Sequence, residues 1–114
     1  MNDCLFCKII AGDIPSGRVY EDERIYAFKD INPQAPVHVL IVPKTHLSGL
    51  DGLEEAEDRL LASLLRAAHT IAAREGVETS GYRLISNCGP DACQSVKHLH
   101  FHLLGGKQLS EEMD

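Results

Sequence analysis

The periodic segment at residues 53–75 is the feature that most constrains the fold. Its apolar residues recur at three- and four-residue steps, the spacing that places them on one face of a helix. They are Leu53, Ala56, Leu60, Leu61, Leu64, Leu65, Ala68, Ile71 and Ala72. Asp51 suits the N-cap, and Gly76 suits the left-handed position after the last turn. The pattern predicts one long amphipathic helix, which needs an apolar surface to pack on.

Short β-strand patterns lie on both sides of this helix. The predicted strands are residues 18–20, 25–28, 37–42, 82–87 and 97–104. The first two form a hairpin around an acidic turn, and the third is rich in β-branched residues and ends at Pro43. Residues 8–10 indicate a short N-terminal helix. The order of elements predicts an α+β fold, a five-stranded antiparallel sheet with the long helix on one face and the other face free for a ligand.

Size and charge narrow the function classes. A chain of 114 residues with 44% apolar content predicts a single domain over residues 1–114. The net charge of −6, without a run of Lys or Arg, disfavours nucleic acid as a partner. The N-terminus is acidic where a secretory signal is basic, and no apolar run approaches the ~18 residues of a membrane span. We therefore expect a cytoplasmic protein without membrane contact, whose four cysteines are thiols or metal ligands.

The segment His98-Leu99-His100-Phe101-His102 carries the strongest chemical signal. Alternate side chains of a strand share a face, so the three imidazoles are expected on one side of the sheet. They suit two chemistries. Histidines on a strand can hold a catalytic zinc that keeps an open position for water. Alternatively, the middle imidazole is a nucleophile, because a neutral histidine with a pKa near ~6.5 attacks phosphorus without an external base.

The residues upstream of the histidines favour the nucleophile. Gly89 allows the backbone to approach a phosphate closely, and neutral hydrogen-bond donors surround it. These donors are Asn87, Gln94 and Ser95. The same stretch lacks carboxylates that would support an open zinc site, although Asp30 and His38 could reach it from elsewhere in the chain. Both chemistries remain open at this point.

Residues 94–106 resemble the signature of the histidine triad superfamily, in which three histidines alternate with apolar residues. The resemblance extends to residues 6–10, 14–15, 27–38, 42–44 and 81–83, and so covers nearly the whole chain. These segments resemble the nucleotide-binding branch of the superfamily, the purine nucleoside phosphoramidases.

The resemblance implies a nucleoside phosphoramidate hydrolase that forms a nucleotidyl intermediate on His100. Water would then release the nucleoside monophosphate. His102 and Asn87 would bind the α-phosphate oxygens, Ser95 would lie near the leaving group, and His38 would support the histidines. Gln94 belongs to the same nucleotide-binding set.

The resemblance also implies a nucleoside pocket and a homodimer. Asp30 would accept hydrogen bonds from both ribose hydroxyls. The purine would contact Phe6, Ile9, Ile14, Phe28 and Ile31, which without the resemblance are core residues by default. Edge strands and helices of two copies would join in the dimer. A purine nucleotide or nucleotide conjugate is thus the expected ligand.

A second cysteine and histidine pattern suggests a structural metal. Cys4 and Cys7 have the spacing of half a zinc site. Related bacterial proteins complete such a site with two histidines, which correspond to His46 and His98 here. The resemblance therefore implies a closed structural Zn²⁺ site.

Two further alternatives and one departure stand beside this interpretation. The chain could be a zinc-dependent hydrolase that uses the triad as ligands, or a nucleotide-sensing module without significant turnover. The family usually has glycine where this chain has Cys93, so the loop is expected to change its conformation or tolerate strain. Its thiol would lie at the pocket rim or turn into the core. Cys88 and Cys93 flank the expected phosphate loop, and His69 is expected to be solvated on the long helix.

Overall fold

The protein folds into a five-stranded antiparallel sheet, described here from a computed structural model over residues 3–114. The strands are β1 (Arg18–Glu21), β2 (Ile25–Lys29), β3 (Val37–Pro43), β4 (Tyr82–Ile85) and β5 (Phe101–Gly105). Their order across the sheet is β1-β2-β3-β5-β4, so β3 is central and β1 and β4 are the edges. The helices are α1 (Leu5–Ile10) and α2 (Asp58–Arg74), and two short 3₁₀ helices span Leu50–Glu55 and Pro90–Ala92. The predicted α+β fold is confirmed.

The long helix α2 covers one face of the sheet. Its buried residues are Leu60, Leu64, Ala67, Ala68, Ile71 and Ala72, which lie at the predicted spacing. They pack against the sheet residues Ile25, Ala27, Val39, Ile41 and Leu103, and against Leu99 just before β5. Burial of this apolar surface is the main stabilising contribution to the fold.

The short helix α1 covers part of the opposite face. Phe6 and Ile9 of α1 pack against residues of β2 and β3 in a second apolar cluster. The strand residues of this cluster are Tyr26, Phe28, Leu40 and Val42. The face expected to be free for a ligand is therefore partly occupied by α1. Among the described residues, no helix has the length and apolar character needed to cross a membrane.

The long helix starts later than the sequence predicts. Ala56 and Glu57 are extended, and they separate the 3₁₀ helix from α2, whose N-cap is Glu57. Asp51 is therefore not its cap, and instead accepts a hydrogen bond from the hydroxyl of Ser48 at 2.9 Å. The predicted end is confirmed, since Gly76 has φ +76° and the backbone N–H groups of Gly76 and Val77 close the last turn.

The predicted strand at residues 97–104 begins only at Phe101. Before this residue the backbone bonds to loops instead of a neighbouring strand. The N–H of Leu99 donates to Leu47 O at 2.6 Å, and the hydroxyl of Ser86 donates to His100 O at 2.8 Å. Likewise β4 ends at Ile85 rather than 87. The segment thus leaves the sheet just where the first two histidines lie.

Candidate active site

The imidazole of His100 is buried and held in one tautomer. Its Nδ1 lies 2.7 Å from the backbone carbonyl oxygen of His98. A carbonyl oxygen only accepts hydrogen bonds, so Nδ1 carries a proton and, in the neutral ring, Nε2 keeps its lone pair. Among the described residues, no group forms a hydrogen bond with Nε2. The neutral ring therefore presents the unprotonated nitrogen that a nucleophile requires.

Sheet register brings His38 and His102 together. His102 of β5 pairs with Leu40 of β3, and His38 lies two residues before Leu40 on the same face. Residues in this diagonal relation are within reach of each other across an antiparallel pair. The ring centroids of His38 and His102 are 5.2 Å apart, as are those of His100 and His102.

A hydrogen-bond chain orients these two rings. The backbone N–H of Gln34 donates to Nδ1 of His38 at 3.0 Å, so the proton of His38 is on Nε2. That Nε2–H faces Nδ1 of His102 at 2.9 Å and the carboxylate of Asp30 at 3.4 Å. His102 therefore accepts at Nδ1 and carries its own proton on Nε2. This N–H is available to donate to an anionic ligand.

Burial keeps both rings neutral. Desolvation, together with the neighbouring His100 and His38, lowers the pKa of His102 to about 4, although Asp30 opposes the shift. Burial also lowers the pKa of His38, again with Asp30 acting in the opposite direction. At neutral pH the pair acts through neutral N–H donors and nitrogen acceptors, not through imidazolium charge.

Asp30 is positioned by the loop that follows β2. One of its carboxylate oxygens accepts the backbone N–H of Asn32 at 2.8 Å, and the other faces His38. The side chain is half-buried, with part of the carboxylate open to solvent. It can therefore accept further hydrogen bonds, as expected for a ribose-binding residue.

The loop between β4 and β5 is fastened by Gln94. Its Oε1 accepts the backbone N–H of Gly89 at 3.0 Å, and its Nε2 donates to the carbonyls of Ser48 and Val96. Both ends of the amide are thus used within the protein, so Gln94 holds the loop in place. Gly89 has φ +87° and open space on its Cβ side.

The other expected phosphate-site residues differ in exposure. Asn87 is half-buried and Ser95 is exposed. Cys93 is also exposed and adopts the left-handed conformation with φ +60°. The loop therefore keeps a glycine-like conformation and tolerates the strain of a side chain there. The thiol is not turned into the core.

Four of the five expected purine contacts lie together. Phe6, Ile9 and Phe28 are buried in the second apolar cluster, and Ile14 packs against it. Phe6 touches His100 edge-to-face, with ring centroids 5.1 Å apart and an interplanar angle of 87°. Ile31 is separate from this cluster and is 92% exposed.

Cys4, Cys7, His46 and His98 form a compact cluster with their ligand atoms within 4.8 Å of one another. Three sulfur-to-nitrogen distances, from Cys4 to His98 and from Cys7 to His46 and His98, are 3.3–3.5 Å, and the two Nδ1 atoms are 3.1 Å apart. Tetrahedral zinc with Zn–N of ~2.0 Å and Zn–S of ~2.3 Å separates its ligands by roughly 3.3–3.8 Å. The two sulfurs and two nitrogens thus fit a closed zinc site, and Cys88 and Cys93 are not part of it.

Hydrogen bonding prepares His98 as a ligand. Its Nε2–H donates to the backbone carbonyl of Pro43 at 2.8 Å, which leaves the Nδ1 lone pair facing the cluster. The ring is fully buried, and burial lowers its pKa. Neutral imidazole with an outward lone pair is the form that binds metal.

A second group of potential ligands, Asp30, His38 and His102, is less suited to a metal. The N–H of Gln34 occupies Nδ1 of His38, so the Nε2 that faces the group carries a proton. A protonated nitrogen has no lone pair to donate. Among the described residues, the three triad rings are also not grouped as ligands, because His98 belongs to the cysteine cluster. The geometry therefore argues against the triad as a zinc centre.

Several contacts at the site have no distinctive sequence signal. Ser86 holds the carbonyl of His100, the backbone of Gln34 orients His38, and the carbonyl of Pro43 orients His98. Two of these three groups belong to the backbone and could not be found from residue types. His69 is exposed on α2, as expected.

Comparison with known proteins matches residues 11–109 to the HIT domain family. The "14 kDa zinc-binding protein" of Zea mays is 54% identical over 109 residues, which cover 93% of this chain and 84% of that protein. "Adenylylsulfatase HINT1" of Arabidopsis thaliana is 48% identical over 109 residues, covering 93% and 73%. The structure of a "HIT family hydrolase" from Clostridium thermocellum superposes with a TM-score of 0.94 at 48% identity, covering 99% of this chain and 98% of that one.

Proposed function

The chain belongs to the HIT domain family of histidine triad proteins, and we propose from this premise that it hydrolyses nucleoside phosphoramidates through a nucleotidyl intermediate on His100. One observation carries the proposal. The hydrogen bond from Nδ1 of His100 to His98 O fixes the tautomer of the neutral ring in which Nε2 carries the lone pair, and among the described residues no group hydrogen-bonds to Nε2.

In the first step, the lone pair of His100 Nε2 attacks the α-phosphorus. The new N–P bond forms while the bond from phosphorus to the amine nitrogen breaks. The amine takes up one proton, which the exposed hydroxyl of Ser95 would relay from solvent, and leaves as a neutral amine. In the second step, water attacks phosphorus, the N–P bond breaks, and the water's proton is lost to solvent. The products are a nucleoside monophosphate and the original neutral His100.

His102 and His38 would stabilise the charge that develops on the phosphoryl oxygens. The Nε2–H of His102 would donate to one of these oxygens, and Asn87 would donate to another. His38 keeps the proton on that nitrogen because it donates to Nδ1 of His102 at 2.9 Å. Preorganised donors of this kind lower the barrier without reorganising during the reaction.

Nucleoside recognition would use the half-buried carboxylate of Asp30 and the second apolar cluster. Phe6 and Phe28 meet edge-to-face with centroids 5.5 Å apart, and this pair forms one wall beside His100. Ile31, 92% exposed, would pack on the purine only from the open side of the pocket. The proposed ligand is therefore a purine nucleotide or a purine nucleotide conjugate.

We also propose that Cys4, Cys7, His46 and His98 hold a structural zinc ion. The geometry of the four donor atoms supports this assignment, as does the similarity to the "14 kDa zinc-binding protein" of maize. When bound, zinc would supply a closed four-ligand crosslink and no open position for water. We propose a cytoplasmic location, with which this site agrees, since a reducing compartment keeps both cysteines as thiols that can bind metal.

A homodimer is proposed from the family resemblance. The edge strand β4 has Tyr82 39% exposed, and α2 has Leu65 57% exposed. A second copy would cover such apolar groups and pair the strand edge. Light scattering should give about twice the mass of one chain, and a single-chain mass would contradict the dimer.

The test of the proposed reaction is a panel of adenosine and guanosine phosphoramidates, with adenylyl sulfate added because one relative is named an adenylylsulfatase. We expect monophosphate release, with a mass-spectrometric adduct in quenched samples on the peptide that contains His100. Turnover that remains after metal analysis shows complete removal of zinc, even at a lowered rate, would exclude a zinc ion that the reaction requires. Nucleotide binding without any monophosphate release would indicate a sensing module instead.

A further inference from the structure

We propose that the Cys4–Cys7–His46–His98 cluster positions the nucleophile, so that metal loading sets both the reactivity of His100 and the affinity for nucleotide. The proposal rests on the zinc site and the role of His100 proposed above. It differs from a purely structural crosslink, which would change stability alone. Two separate sets of contacts connect the cluster with His100.

The first connection is the residue His98 itself. Its Nδ1 faces the sulfurs of Cys4 and Cys7 at 3.3 and 3.5 Å, while its backbone carbonyl accepts the Nδ1–H of His100 at 2.7 Å. The same residue therefore carries a metal ligand on its side chain and the tautomer-fixing acceptor on its backbone. Under the proposal, a shift of His98 on metal loss would also displace the carbonyl that orients His100.

The second connection is Phe6, which lies between the two cysteine ligands on α1. The ring of Phe6 meets the rings of His98 and His100 edge-to-face, with ring centroids 5.9 and 5.1 Å apart, respectively. It also contacts Phe28 in the proposed purine wall. Metal would bind both ends of the segment Cys4–Cys7. Phe6 lies between these ends and contacts His100, so the metal would restrain the position of Phe6 against the nucleophile.

The helix that carries Phe6 cannot hold this position through its own stability. α1 has only six residues, and isolated helices shorter than ~12 residues are marginal in water. It buries Phe6 and Ile9, so packing supplies part of the restraint. Metal coordination would supply the rest. Partners that orient the ligands of a metal site typically change metal affinity or activity by about 10–100-fold when they are lost, and we expect an effect of this order on His100.

His46 offers the cleanest variant for a test. It is the exposed member of the cluster and contacts neither His100 nor Phe6 in the described hydrogen bonds and ring contacts. His46→Gln should therefore weaken zinc binding without removing either connection. His69→Gln is the matched control, because His69 is an exposed histidine on α2, far from the cluster in sequence.

The experiment compares wild type, His46→Gln and His69→Gln, each with stoichiometric zinc and after chelation. Zinc content is measured by metal analysis, adenosine monophosphate affinity by calorimetry, and the His100 Nδ1–H by imidazole NMR. Compared with zinc-loaded wild type, we expect chelated wild type and His46→Gln to bind adenosine monophosphate about tenfold more weakly and to turn over about 10–100-fold more slowly. The NMR signal of the His100 Nδ1–H should be shifted or broadened in both. His69→Gln should behave as wild type in both states.

Phe6→Leu tests the second connection. If Phe6 transmits the effect, chelation should weaken nucleotide binding less in Phe6→Leu than in wild type, because one connection is already removed. Equal effects of chelation in both proteins would leave only the His98 connection and overturn the role of Phe6.

Unchanged nucleotide affinity, His100 signal and turnover after complete zinc removal from wild type would overturn the whole proposal, as would failure of the protein to bind zinc. Failure of the proposed reaction has a different result: zinc-loaded wild type would bind adenosine monophosphate and show the His100 signal, but release no monophosphate from any substrate.

Discussion

Nε2 of His38 lies 2.9 Å from Nδ1 of His102, and the two rings form a neutral pair. The carboxylate of Asp30 is 3.4 Å from the same Nε2. Burial outweighs this carboxylate, because the pKa of both histidines is lowered. The pair therefore makes the stability of the protein depend on pH.

The pH dependence of stability should be reduced when His102 is replaced. The pKa of His102 is about 4 in the folded protein, below its ordinary value of 6.5. As pH falls below 6.5, the unfolded chain takes up this proton first, so the free energy of unfolding decreases between pH 6.5 and 4. The lowered pKa of His102 changes the free energy of unfolding by up to about 3 kcal/mol across this range, and this stabilisation is fully present above pH 6.5.

Denaturant unfolding at pH values from 7 to 4 would measure the free energy of unfolding of wild type and His102→Gln. Both proteins are loaded with zinc, so that protonation of the metal ligands affects both equally. We expect a shallower loss of stability in the variant. His69→Gln, which removes an exposed histidine, should follow wild type. Parallel curves for wild type and His102→Gln would contradict the lowered pKa.

His100→Ala should abolish turnover and leave nucleoside monophosphate binding within about tenfold, because a nucleophile contributes mainly to the transition state. Steady-state kinetics and calorimetry separate the two effects. Undiminished turnover in this variant would exclude a covalent intermediate on His100.

Cys4→Ser/Cys7→Ser should lose bound zinc and melt at a lower temperature, since binding free energy at a closed structural site adds to folding free energy. Cys88→Ser/Cys93→Ser is the control with the same number of thiols removed, and it should keep one zinc per chain. Metal analysis and calorimetric melting provide the readouts. Zinc retained by the first variant would show that other residues bind it.

Cys93→Gly should be more stable than Cys93→Ala by about 1 kcal/mol, because only glycine adopts a positive φ at little steric cost. The φ of Cys93 is +60°, and alanine keeps that strain. Urea unfolding of both variants makes the comparison at one site, with the thiol absent from each. Equal stabilities would show that the loop relaxes to another conformation.

The exposed thiol of Cys93 should also make wild-type activity sensitive to a thiol alkylator, and nucleoside monophosphate should protect it. Cys93→Gly should remain active and resist the reagent. Equal inactivation of wild type and Cys93→Gly would assign the effect to another thiol.

Much of the fold follows from residue pattern. The apolar face of α2 and the end of this helix before Gly76 are local consequences of residue spacing and turn chemistry, so they could be predicted. The start of α2 could not, because apolar spacing continues through the 3₁₀ helix at Leu50–Glu55 while the chain itself breaks at Ala56. Periodicity cannot detect an extended residue between two helical segments.

The sequence by itself determined which groups are present: alternating histidines, a cysteine pair with zinc spacing, and the apolar faces that build the sheet and α2. Only the tertiary structure decided what each group can do. The lone pair of His100 depends on the carbonyl of His98, the proton of His38 depends on the N–H of Gln34, and the ligand set joins Cys4 to His98 across 94 positions of the chain. Tautomer and coordination depend on distances of about 3 Å between groups remote in sequence, or on backbone atoms that every residue has, so residue identity alone leaves them undetermined.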